Sequence, residues 1–361
     1  MRHLTSALLF GLSLVLALAA CDAYLQCADI QTPMETRIDP RLGPTYIPGK
    51  RISRFNEGFY LGEANDYGYM GPSVPPRRTG EERRVLLLGD SFVLGHTVLP
   101  RHHFARRLET LLADSSGEKA SVLNFGKADF NISNMYAYLA DFAGTFDHDL
   151  ALFFVGEDDL LPARQIATGL YPVVKLDGGS LVVDTSFHSS RTYGFYRAVE
   201  PIFTRSAVLR LAFNADKMVK RGELADVLLD KFAPTFSPAP DATPANDSEP
   251  TPAPAISPVT LAVLRTLARD PRNVLVTKEA LAAPLRAELK RIGVPVLDLG
   301  AALAELEASG EDLTYWPVTR VHGHWNHAAH QRIAQFLAGA LPENGLLWPT
   351  VPDATSPRST H

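Results

Sequence analysis

Two stretches of the sequence, far apart along the chain, carry side chains suited to nucleophilic chemistry. Gly-Asp-Ser-Phe at 89–92 directly follows an apolar run, so Ser91 lies on a tight turn between a predicted strand and a predicted helix. His324 lies in His-Gly-His-Trp-Asn at 322–326, just before an amphipathic helical pattern. A serine hydroxyl is a weak nucleophile at neutral pH and needs a base such as histidine. The two residues are a candidate nucleophile and base, although Ser91 alone also fits a helix N-cap.

Alternating strand-like and helix-like blocks must position these two loops. The strand-like blocks are continuous apolar runs at 85–88, 121–125, 150–155, 273–277 and 294–299, with helical patterns between them. Strands that are apolar on both faces and separated by helices indicate a parallel sheet covered on both sides. The pattern therefore predicts an α/β fold, a three-layer α/β/α sandwich with right-handed crossovers. Ligands bind beyond the carboxyl ends of such strands, which is where Ser91 lies.

The composition excludes several classes of protein. The 361 residues are 46% hydrophobic and 21% charged, which allows a buried core and excludes a disordered or multi-span membrane chain. With 35 basic and 40 acidic side chains the net charge is −5, so no overall basic field predicts nucleic acid as a partner. The two cysteines fit neither a disulfide scaffold nor a zinc motif.

The N-terminus is typical of a sorting segment. Residues 1–20 combine Arg2 with an uncharged apolar run, as in a signal peptide. The run ends in Leu-Ala-Ala-Cys at 18–21, which resembles the bacterial lipobox and implies a diacylated Cys21 that anchors the chain in a lipid bilayer. Asp22 then resembles a retention signal, so we expect the periplasmic face of the inner membrane in the cell envelope. An ordinary signal peptide and an uncleaved anchor stay open as alternatives.

The rest of the chain divides into segments of different character. Residues 21–82 lack periodicity and are rich in Pro, Gly and Tyr, so we expect an extended lead-in that wraps the main domain at 83–341. Within that domain, 160–230 is predicted to be a helical insertion. Residues 234–258 contain eight prolines and predict a disordered excursion, while 342–361 predicts a frayed tail.

Four blocks in order resemble the SGNH, or GDSL-type, hydrolase superfamily, over about residues 60 to 341. The blocks are Gly-Asp-Ser at 89–91, Asn-Phe-Gly at 124–126, Gly-Glu-Asp-Asp at 156–159 and His-Trp-Asn at 324–326. The resemblance implies a flavodoxin-like sandwich and ester hydrolysis without a cofactor. It also implies Ser91 as nucleophile and first oxyanion donor, the Gly126 N–H as second donor, and His324 as general base.

Two positions depart from the pattern of this superfamily. Asp158 stands in the third block where the family has an asparagine that donates to the oxyanion, and an ionised carboxylate can only accept a hydrogen bond. A protonated Asp158 would still donate. His322 stands where relatives carry the aspartate that orients the catalytic histidine, and a neutral imidazole cannot match a carboxylate there. Asp312 and Asp298 are candidate substitutes for that aspartate.

These residues leave three hypotheses. The favoured one is a membrane-anchored serine esterase that acts on a small acyl ester, such as an O-acyl group on an envelope glycan or a lipid. The second is a catalytically weakened or inactive protein of the same fold that binds a ligand or serves as a scaffold. The third is a metal site, since a cluster of histidines and carboxylates suits Zn²⁺; its candidates are His322, His324, His327 and His330.

Overall fold

The computed structural model describes residues 2–28, 33–161, 169–220 and 256–348. The chain divides into two compact units. The smaller unit comprises Met1–Arg37 and Phe195–Pro254, and the larger unit comprises Ile38–Gly194 and Ala255–His361. The larger unit contains both loops that carry the candidate nucleophile and base.

Strands and helices alternate through most of the larger unit, whereas the helices Arg2–Cys27 and Ala207–Lys220 belong to the smaller one. In chain order the strands are β1 (Thr36–Asp39), β2 (Gly43–Tyr46), β3 (Arg51–Arg54), β4 (Tyr60–Glu63), β5 (Arg83–Leu88), β6 (Ala120–Asn124), β7 (Leu150–Val155), β8 (Val173–Asp177), β9 (Ser180–Asp184), β10 (Asn273–Thr277), β11 (Val296–Leu297), β12 (Tyr315–Trp316) and β13 (Val321–His322). The α-helices are α1 (Arg2–Cys27), α2 (Ser91–Leu94), α3 (Phe104–Ser116), α4 (Ile132–Asp141), α5 (Glu157–Leu160), α6 (Arg191–Phe203), α7 (Ala207–Lys220), α8 (Pro258–Leu267), α9 (Ala283–Ile292), α10 (Leu299–Ala308) and α11 (His327–Glu343).

The core of the larger unit is a five-stranded parallel sheet in the order β11-β10-β7-β5-β6. Every residue of β6, β7 and β10 is buried, as continuous apolar strands require. One apolar layer, which includes residues of α4, α8 and α9, covers one face of the sheet. A second layer, with residues of α3, α10 and α11, covers the other face. The predicted three-layer α/β/α sandwich is confirmed.

The sheet changes its direction of growth at β5. Strand β6 lies on one side of β5 and β7 on the other, so successive connections run in opposite directions across the sheet. In open α/β sheets a ligand crevice forms outside the carboxyl ends of the strands at such a switch point. Because Ser91 begins the helix that follows β5, it lies where this architecture places its binding sites.

Two segments differ from their predicted structure. The lead-in at 21–82 contains the hairpins β1–β2 and β3–β4 as well as extended chain. The insertion at 160–230 opens with the hairpin β8–β9, in whose two-residue turn Gly178 and Gly179 have φ angles of 54° and 85°. Two consecutive positive φ angles suit a type I′ turn, which explains the Gly-Gly pair. Helices α6 and α7 then follow, as the helical pattern predicts.

The remaining predictions concern the strand at 294–299 and two segments that lie mostly outside the described residues. The strand predicted at 294–299 is shorter, because β11 is confined to two residues between Pro295 and Asp298, which caps α10. Residues 221–255 and 349–361 lie outside the described residues, so the predictions of a disordered excursion at 234–258 and of a frayed tail at 342–361 fall mostly there.

The N-terminal segment forms one continuous helix, α1, that runs past the signal-peptide boundary predicted at residue 20. Residues His3–Cys27 have a mean hydropathy of 2.3 and are long and apolar enough to cross a membrane, a property that a signal sequence shares. Cys21 and Cys27 are both exposed, free cysteines. Within the smaller unit, Asp22 accepts hydrogen bonds from the Ser206 hydroxyl and the Val208 N–H at the start of α7.

Candidate active site

The Ser91 loop is built by three successive residues that close β5 and open α2. Gly89 has no room for a side chain, since a Cβ would lie 2.9 Å from Val93 Cβ and 3.2 Å from Phe154 Cβ. Asp90 is the N-cap of α2, and its Oδ1 accepts the Phe92 N–H at 3.0 Å. Ser91 is therefore the first helical residue and not the cap. Its hydroxyl is left available, at a partly exposed position above the carboxyl edge of the sheet.

His324 meets Ser91 across 233 positions of sequence. It lies between β13 and α11, and its Nε2 is 2.8 Å from Ser91 Oγ. The Phe92 ring packs against the imidazole at 4.8 Å between centroids and against buried Trp325 at 5.1 Å. The His324 carbonyl accepts the indole N–H of Trp316 at 3.0 Å. These contacts hold both the backbone and the ring of His324, so the base is placed against the candidate nucleophile.

The opposite nitrogen of His324 faces Glu57, a residue from the loop between β3 and β4. Nδ1 lies 2.8 Å from Oε1 and 3.1 Å from Oε2 of Glu57, and the His324 backbone N–H donates to Oε2 at 2.6 Å. Gly323 permits this approach, because a Cβ there would lie 2.5 Å from Glu57 Cδ. The Thr319 hydroxyl donates to the Glu57 carbonyl at 2.6 Å. Ser91, His324 and Glu57 thus form a continuous hydrogen-bonded row.

The charge of Glu57 fixes the tautomer of His324. Burial raises the pKa of Glu57, but hydrogen bonds from the side chain and backbone of His324 outweigh it and leave the pKa below its ordinary value. The carboxylate is therefore ionised at neutral pH and can only accept a hydrogen bond. The proton of a neutral imidazole then resides on Nδ1, facing Glu57, which leaves Nε2 free to accept the Ser91 hydroxyl proton.

The predicted partners of His324 lie elsewhere, and this prediction has to be corrected. His322 is exposed, with its Nδ1 3.2 Å from the Thr314 hydroxyl. Asp312 accepts the N–H groups of the turn that precedes β12. Asp298 follows β11, three strands from β5, where it caps α10 and accepts the Thr277 hydroxyl at 2.8 Å.

Glu57 could not be predicted from the sequence, because its contact with His324 spans 267 positions. It also lies in a lead-in without periodicity, and no spacing between the two residues marks the pair. The one local signal is Gly323, a residue without a side chain directly beside the candidate base. Such a glycine indicates a close approach by another part of the chain, but it does not identify which part.

The oxyanion donors also differ in part from the prediction. In the described parts of the chain no group accepts a hydrogen bond from the Ser91 N–H, which suits a donor reserved for a ligand. The Gly126 N–H, by contrast, donates to Asn124 Oδ1 at 2.9 Å and is buried. A Cβ on Gly126 would lie 2.7 Å from the Val93 carbonyl carbon, so this glycine serves close packing against α2.

The loop beyond Gly126 presents other backbone donors. Ala128 and Asp129 are exposed between β6 and α4, and no described group accepts their N–H groups. Asp129 has a φ angle of 63°, in the left-handed region that non-glycine residues seldom adopt. The second donor predicted at Gly126 therefore has candidates two and three residues further on.

Asp158 lies at the carboxyl end of β7, the strand beside β5. It is the second residue of the short helix α5, and its side chain is exposed. Its neighbours are engaged within the fold: the Glu157 N–H donates to Glu279 Oε1 at 2.7 Å, and Asp159 accepts the Gly156 N–H at 2.8 Å. The role predicted for Asp158 in the oxyanion hole stays a prediction.

The four histidines of the metal hypothesis have separate surroundings. His330 is buried, and its Nδ1 accepts the Phe104 N–H at 3.1 Å. His327 packs edge-on against His102 at 5.2 Å between centroids, whereas His322 is exposed. Among residues 2–28, 33–161, 169–220 and 256–348, no group of three or more His, Cys, Asp or Glu side chains is arranged to hold a metal.

Comparison with known proteins gives matches in structure alone. No family model and no curated protein sequence matches the chain. Among solved structures, a catalytic mutant of Axe2, an acetylxylan esterase from Geobacillus stearothermophilus, is 16% identical with a TM-score of 0.35, over 75% of this chain and 97% of that one. A lipase/acylhydrolase from Enterococcus faecalis is 12% identical with a TM-score of 0.33, over 74% of this chain and 100% of that one.

A third similar structure is LAE5, an alpha/beta hydrolase enzyme from the metagenome of Lake Arreo in Spain. It is 13% identical with a TM-score of 0.35, over 73% of this chain and 96% of that one. These three proteins are described as an esterase, a lipase/acylhydrolase and an alpha/beta hydrolase. At such low identity and TM-score, an activity for this chain has to rest on its own geometry.

Proposed function

We propose that this chain is a serine ester hydrolase of the SGNH type, with Ser91 as nucleophile, His324 as general base and Glu57 as the acid that orients it. The observation that carries the proposal is the hydrogen-bonded row in which Ser91 Oγ is 2.8 Å from His324 Nε2 and Glu57 Oε1 is 2.8 Å from Nδ1. A nucleophile, a base and an orienting carboxylate at these distances are what acyl transfer requires.

The proposed reaction proceeds in two acyl transfers. Ser91 Oγ bonds to the ester carbonyl carbon while its proton moves to His324 Nε2, and the imidazolium then gives that proton to the departing alcohol oxygen. The ester C–O bond breaks and leaves an acyl group on Ser91. Water then attacks this acyl group, with His324 again accepting the proton, and Ser91 and a carboxylic acid are released. Glu57 stays ionised throughout and stabilises the imidazolium.

Backbone N–H groups hold the oxyanion in this proposal. The Ser91 N–H is the first donor, and its lack of an acceptor among the described residues supports this assignment. We assign the second donor to the loop of Ala128 and Asp129, since the Gly126 N–H is occupied by Asn124. Preorganised donors of this kind contribute about 2.7–4 kcal/mol each to stabilising the transition state.

The compartment suggests the substrate class in this proposal. We place the chain in the cell envelope, anchored at the periplasmic face of the inner membrane through an acylated Cys21, and the apolar helix α1 supports this placement. Two acyl chains on one cysteine give stable attachment to a bilayer. O-acyl groups on an envelope glycan and esters of lipids are the substrates within reach of such an anchor.

A catalytically silent protein of the same fold is the second candidate, and Asp158 favours it. An ionised carboxylate at the edge of the site would repel the developing oxyanion, where an asparagine would donate to it. This alternative predicts ligand binding without turnover. It also predicts that replacing Ser91 leaves any residual hydrolysis unchanged.

Hydrolysis of p-nitrophenyl acetate and of an acetylated glycan by the full chain in detergent micelles separates the two candidates. For Ser91→Ala we expect kcat/KM to fall by at least about 10³-fold, as removal of a catalytic nucleophile requires. Ser115→Ala, an exposed serine near the end of α3, is the matched control and should leave the rate unchanged. Equal rates for the unmodified chain and Ser91→Ala would contradict the esterase proposal.

A further inference from the structure

A buried ammonium group lies against the residue that precedes Ser91. Lys278 Nζ contacts Asp90 Oδ2 and is 2.9 Å from Asp159 Oδ2. The exposed fractions of the three side chains are 12% for Lys278, 4% for Asp90 and 0% for Asp159. Three charged groups in such a position need one another, because an unpaired buried charge costs several kcal/mol.

The three residues belong to the ends of three neighbouring strands. Asp90 follows β5, Asp159 follows β7, and Lys278 is the first residue after β10. The backbone N–H of Lys278 donates to the Val155 carbonyl of β7 at 2.9 Å. One ammonium thus joins the loops of β10, β7 and β5 at the carboxyl edge of the sheet. This is the edge at which Ser91 lies.

Asp90 connects Lys278 with the start of α2, where Ser91 lies. Its Oδ1 accepts the Phe92 N–H at 3.0 Å and so caps α2, while its Oδ2 contacts Lys278. With one oxygen committed to each partner, the plane of this carboxylate is fixed by Lys278 on one side and by the start of α2 on the other. Ser91 lies between Asp90 and Phe92 in sequence, so the cap that Asp90 forms holds the backbone of Ser91 at the start of α2.

We propose that Lys278 is a positioning residue of the site, which sets the aim of Ser91 through Asp90. The proposal rests on the ester hydrolase function proposed above. The ammonium lies 5.6 Å from the centroid of the Phe92 ring, and His324 packs against the same ring at 4.8 Å. Among the described residues the ion pairs of Lys278 are with Asp90 and Asp159, so Lys278 acts on Ser91 through Asp90.

Lys278 keeps its charge in this environment. Burial lowers its pKa, but the adjacent carboxylates of Asp90 and Asp159 outweigh burial and leave the pKa above its ordinary value. The ammonium is charged at every pH at which an esterase assay is practical. A neutral side chain at position 278 therefore removes the partner of Asp90 Oδ2 under all assay conditions.

The test compares Lys278→Met with two variants of the same cluster and one control, all as full chains in detergent micelles. We expect Lys278→Met to lower kcat by about 10- to 100-fold with KM within about threefold, because a displacement of about 1 Å in a catalytic group costs up to about 10²-fold. Lys278→Arg keeps the charge and should recover most of that loss. Asp159→Asn leaves Lys278 on Asp90 and should keep kcat within about threefold.

Melting temperatures separate positioning from a merely structural role. Lys290→Met, an exposed lysine on α9, is the matched control for loss of one positive charge. All rates are measured well below the lowest melting temperature of the set. The proposal is overturned if Lys278→Met keeps kcat within about threefold, or if the losses in Lys278→Met and Asp159→Asn are equal and follow their melting temperatures.

Two further outcomes have a defined meaning. If Lys278→Met does not fold, the double variant Lys278→Met with Asp159→Leu replaces it, since this removes the more deeply buried of the two acids that face the missing ammonium. Failure of both to fold overturns the proposal. Labelling by a fluorophosphonate, with Ser91→Ala as the blank, reports on the nucleophile itself. Equal labelling and equal hydrolysis in Ser91→Ala and the unmodified chain would remove the proposed function and this inference together, whereas a Ser91-dependent rate that ignores Lys278 removes this inference alone.

Discussion

At the scale of single residues, the proposed chemistry depends most on the contact between Glu57 and His324. A carboxylate beside the far nitrogen of the base holds the imidazole in the tautomer that accepts the serine proton and stabilises the imidazolium that follows. Glu57 is placed for both tasks, since its oxygens lie 2.8 and 3.1 Å from Nδ1. The exposed imidazole of His322 could serve neither task as well, because it carries no negative charge.

Replacing Glu57 by glutamine tests this assignment. A glutamine can present its NH₂ group to Nδ1 and so favour the tautomer that cannot accept the Ser91 proton. We expect kcat for p-nitrophenyl acetate to fall by about 10²- to 10⁴-fold with little change in KM, the upper figure being that for the equivalent change in a serine protease. Glu63→Gln, an exposed residue at the end of β4, is the control. A kcat for Glu57→Gln within threefold of the unmodified chain would remove Glu57 from the mechanism.

Asp158 offers a gain of function as a test. An amide in place of this exposed carboxylate removes a negative charge from the carboxyl end of β7 and adds a donor. We expect Asp158→Asn to raise kcat by at least about threefold, a small part of the 10²- to 10³-fold that one oxyanion donor can contribute. Asp114→Asn on α3 is the exposed control. A lower rate in Asp158→Asn would show instead that the acidic side chain supports the reaction at this position.

The sequence allowed prediction of some residues of the site and not of others, for a physical reason. Ser91 and His324 each follow or precede a strongly patterned element, so the fold itself brings them to one edge of the sheet. Glu57 lies on a hairpin of four-residue strands whose pairing and docking depend on distant residues, and no local pattern encodes that. Gly126 was predicted as an oxyanion donor, but its N–H is bonded to the Asn124 side chain, a contact that the block Asn-Phe-Gly does not reveal.

At the scale of elements, the hairpin β3–β4 positions Glu57, the proposed orienting acid. Its loop is held down by two close approaches: a Cβ on Gly58 would lie 2.6 Å from Trp316 Cε3, and one on Gly323 would lie 2.5 Å from Glu57 Cδ. Glycine at both positions lets the hairpin pack tightly against the segment that includes β12 and β13. The geometry of the acid thus depends on residues that carry no functional group.

Gly323→Ala tests that dependence. The backbone at this position has no positive φ angle, so alanine is compatible with the local conformation, but its Cβ would push the Glu57 carboxylate away from Nδ1. We expect kcat to fall by about 10- to 100-fold, the cost of displacing a catalytic group by about 1 Å, with a small change in melting temperature. Gly339→Ala, on the open side of α11, is the control. Full activity in Gly323→Ala would show that the carboxylate has room to move without losing its function.

The elements themselves were predictable where their pattern was continuous. The apolar runs at 85–88, 150–155 and 273–277 correspond to the three inner strands β5, β7 and β10, and the run at 121–125 corresponds to the edge strand β6. Burial on both faces leaves no polar alternation in such strands, so they appear as continuous apolar runs. The hairpin β8–β9 was missed in a segment assigned to helices, although its Gly-Gly turn between apolar runs is a hairpin signal. Strands of four or five residues leave little hydrophobic pattern in the sequence, so their pairing is difficult to predict from it.

At the scale of the whole molecule, the proposed location in the cell envelope depends on helix α1. Cys21, the proposed acylation site, lies within this helix and is exposed. We expect Cys21→Ser to abolish incorporation of an alkyne-tagged palmitate when the chain is expressed in a Gram-negative host, whereas Cys27→Ser, the other exposed cysteine, should label normally. Labelling of Cys21→Ser at the level of the unmodified chain would exclude the lipid anchor and favour an ordinary signal peptide or an uncleaved helix.

The whole molecule also carries a sensitivity to acid in three histidines near α2, of which His103 and His330 are buried and His96 is partly buried. Burial lowers the pKa of His103 to about 3 and holds the pKa values of His96 and His330 well below their ordinary range. His103 is fixed in a neutral form, since its Nδ1 accepts the Ala105 N–H and its Nε2–H donates to the Val93 carbonyl. Protonation of any of the three requires the surrounding structure to open.

The lowered pKa values of these histidines determine how the stability of the fold changes with pH. In the unfolded chain each histidine binds a proton below about pH 6.5, whereas the folded chain does not, so stability falls as the pH drops. Each of the three contributes up to about 1.4 kcal/mol per pH unit. Lys127, whose pKa burial lowers to about 7, adds a pH slope of the same sign mainly above neutral pH, where the folded chain has lost a proton that the unfolded chain keeps, so the interval from pH 6.5 to 5.0 leaves mainly the histidines.

Urea unfolding at pH values from 6.5 to 5.0 measures directly how these histidines change the free energy of unfolding. We expect the free energy of unfolding to fall by several kcal/mol over the interval, because up to three protons are taken up on unfolding. His103→Gln should reduce the slope by up to about 1.4 kcal/mol per pH unit, the contribution of one proton, while His188→Gln, an exposed histidine, should leave it unchanged. A free energy that stays constant from pH 6.5 to 5.0 would mean that these histidines are protonated in the folded chain. The tight packing of His103 against Phe104 and His330, at 4.6 and 4.8 Å between centroids, argues against that.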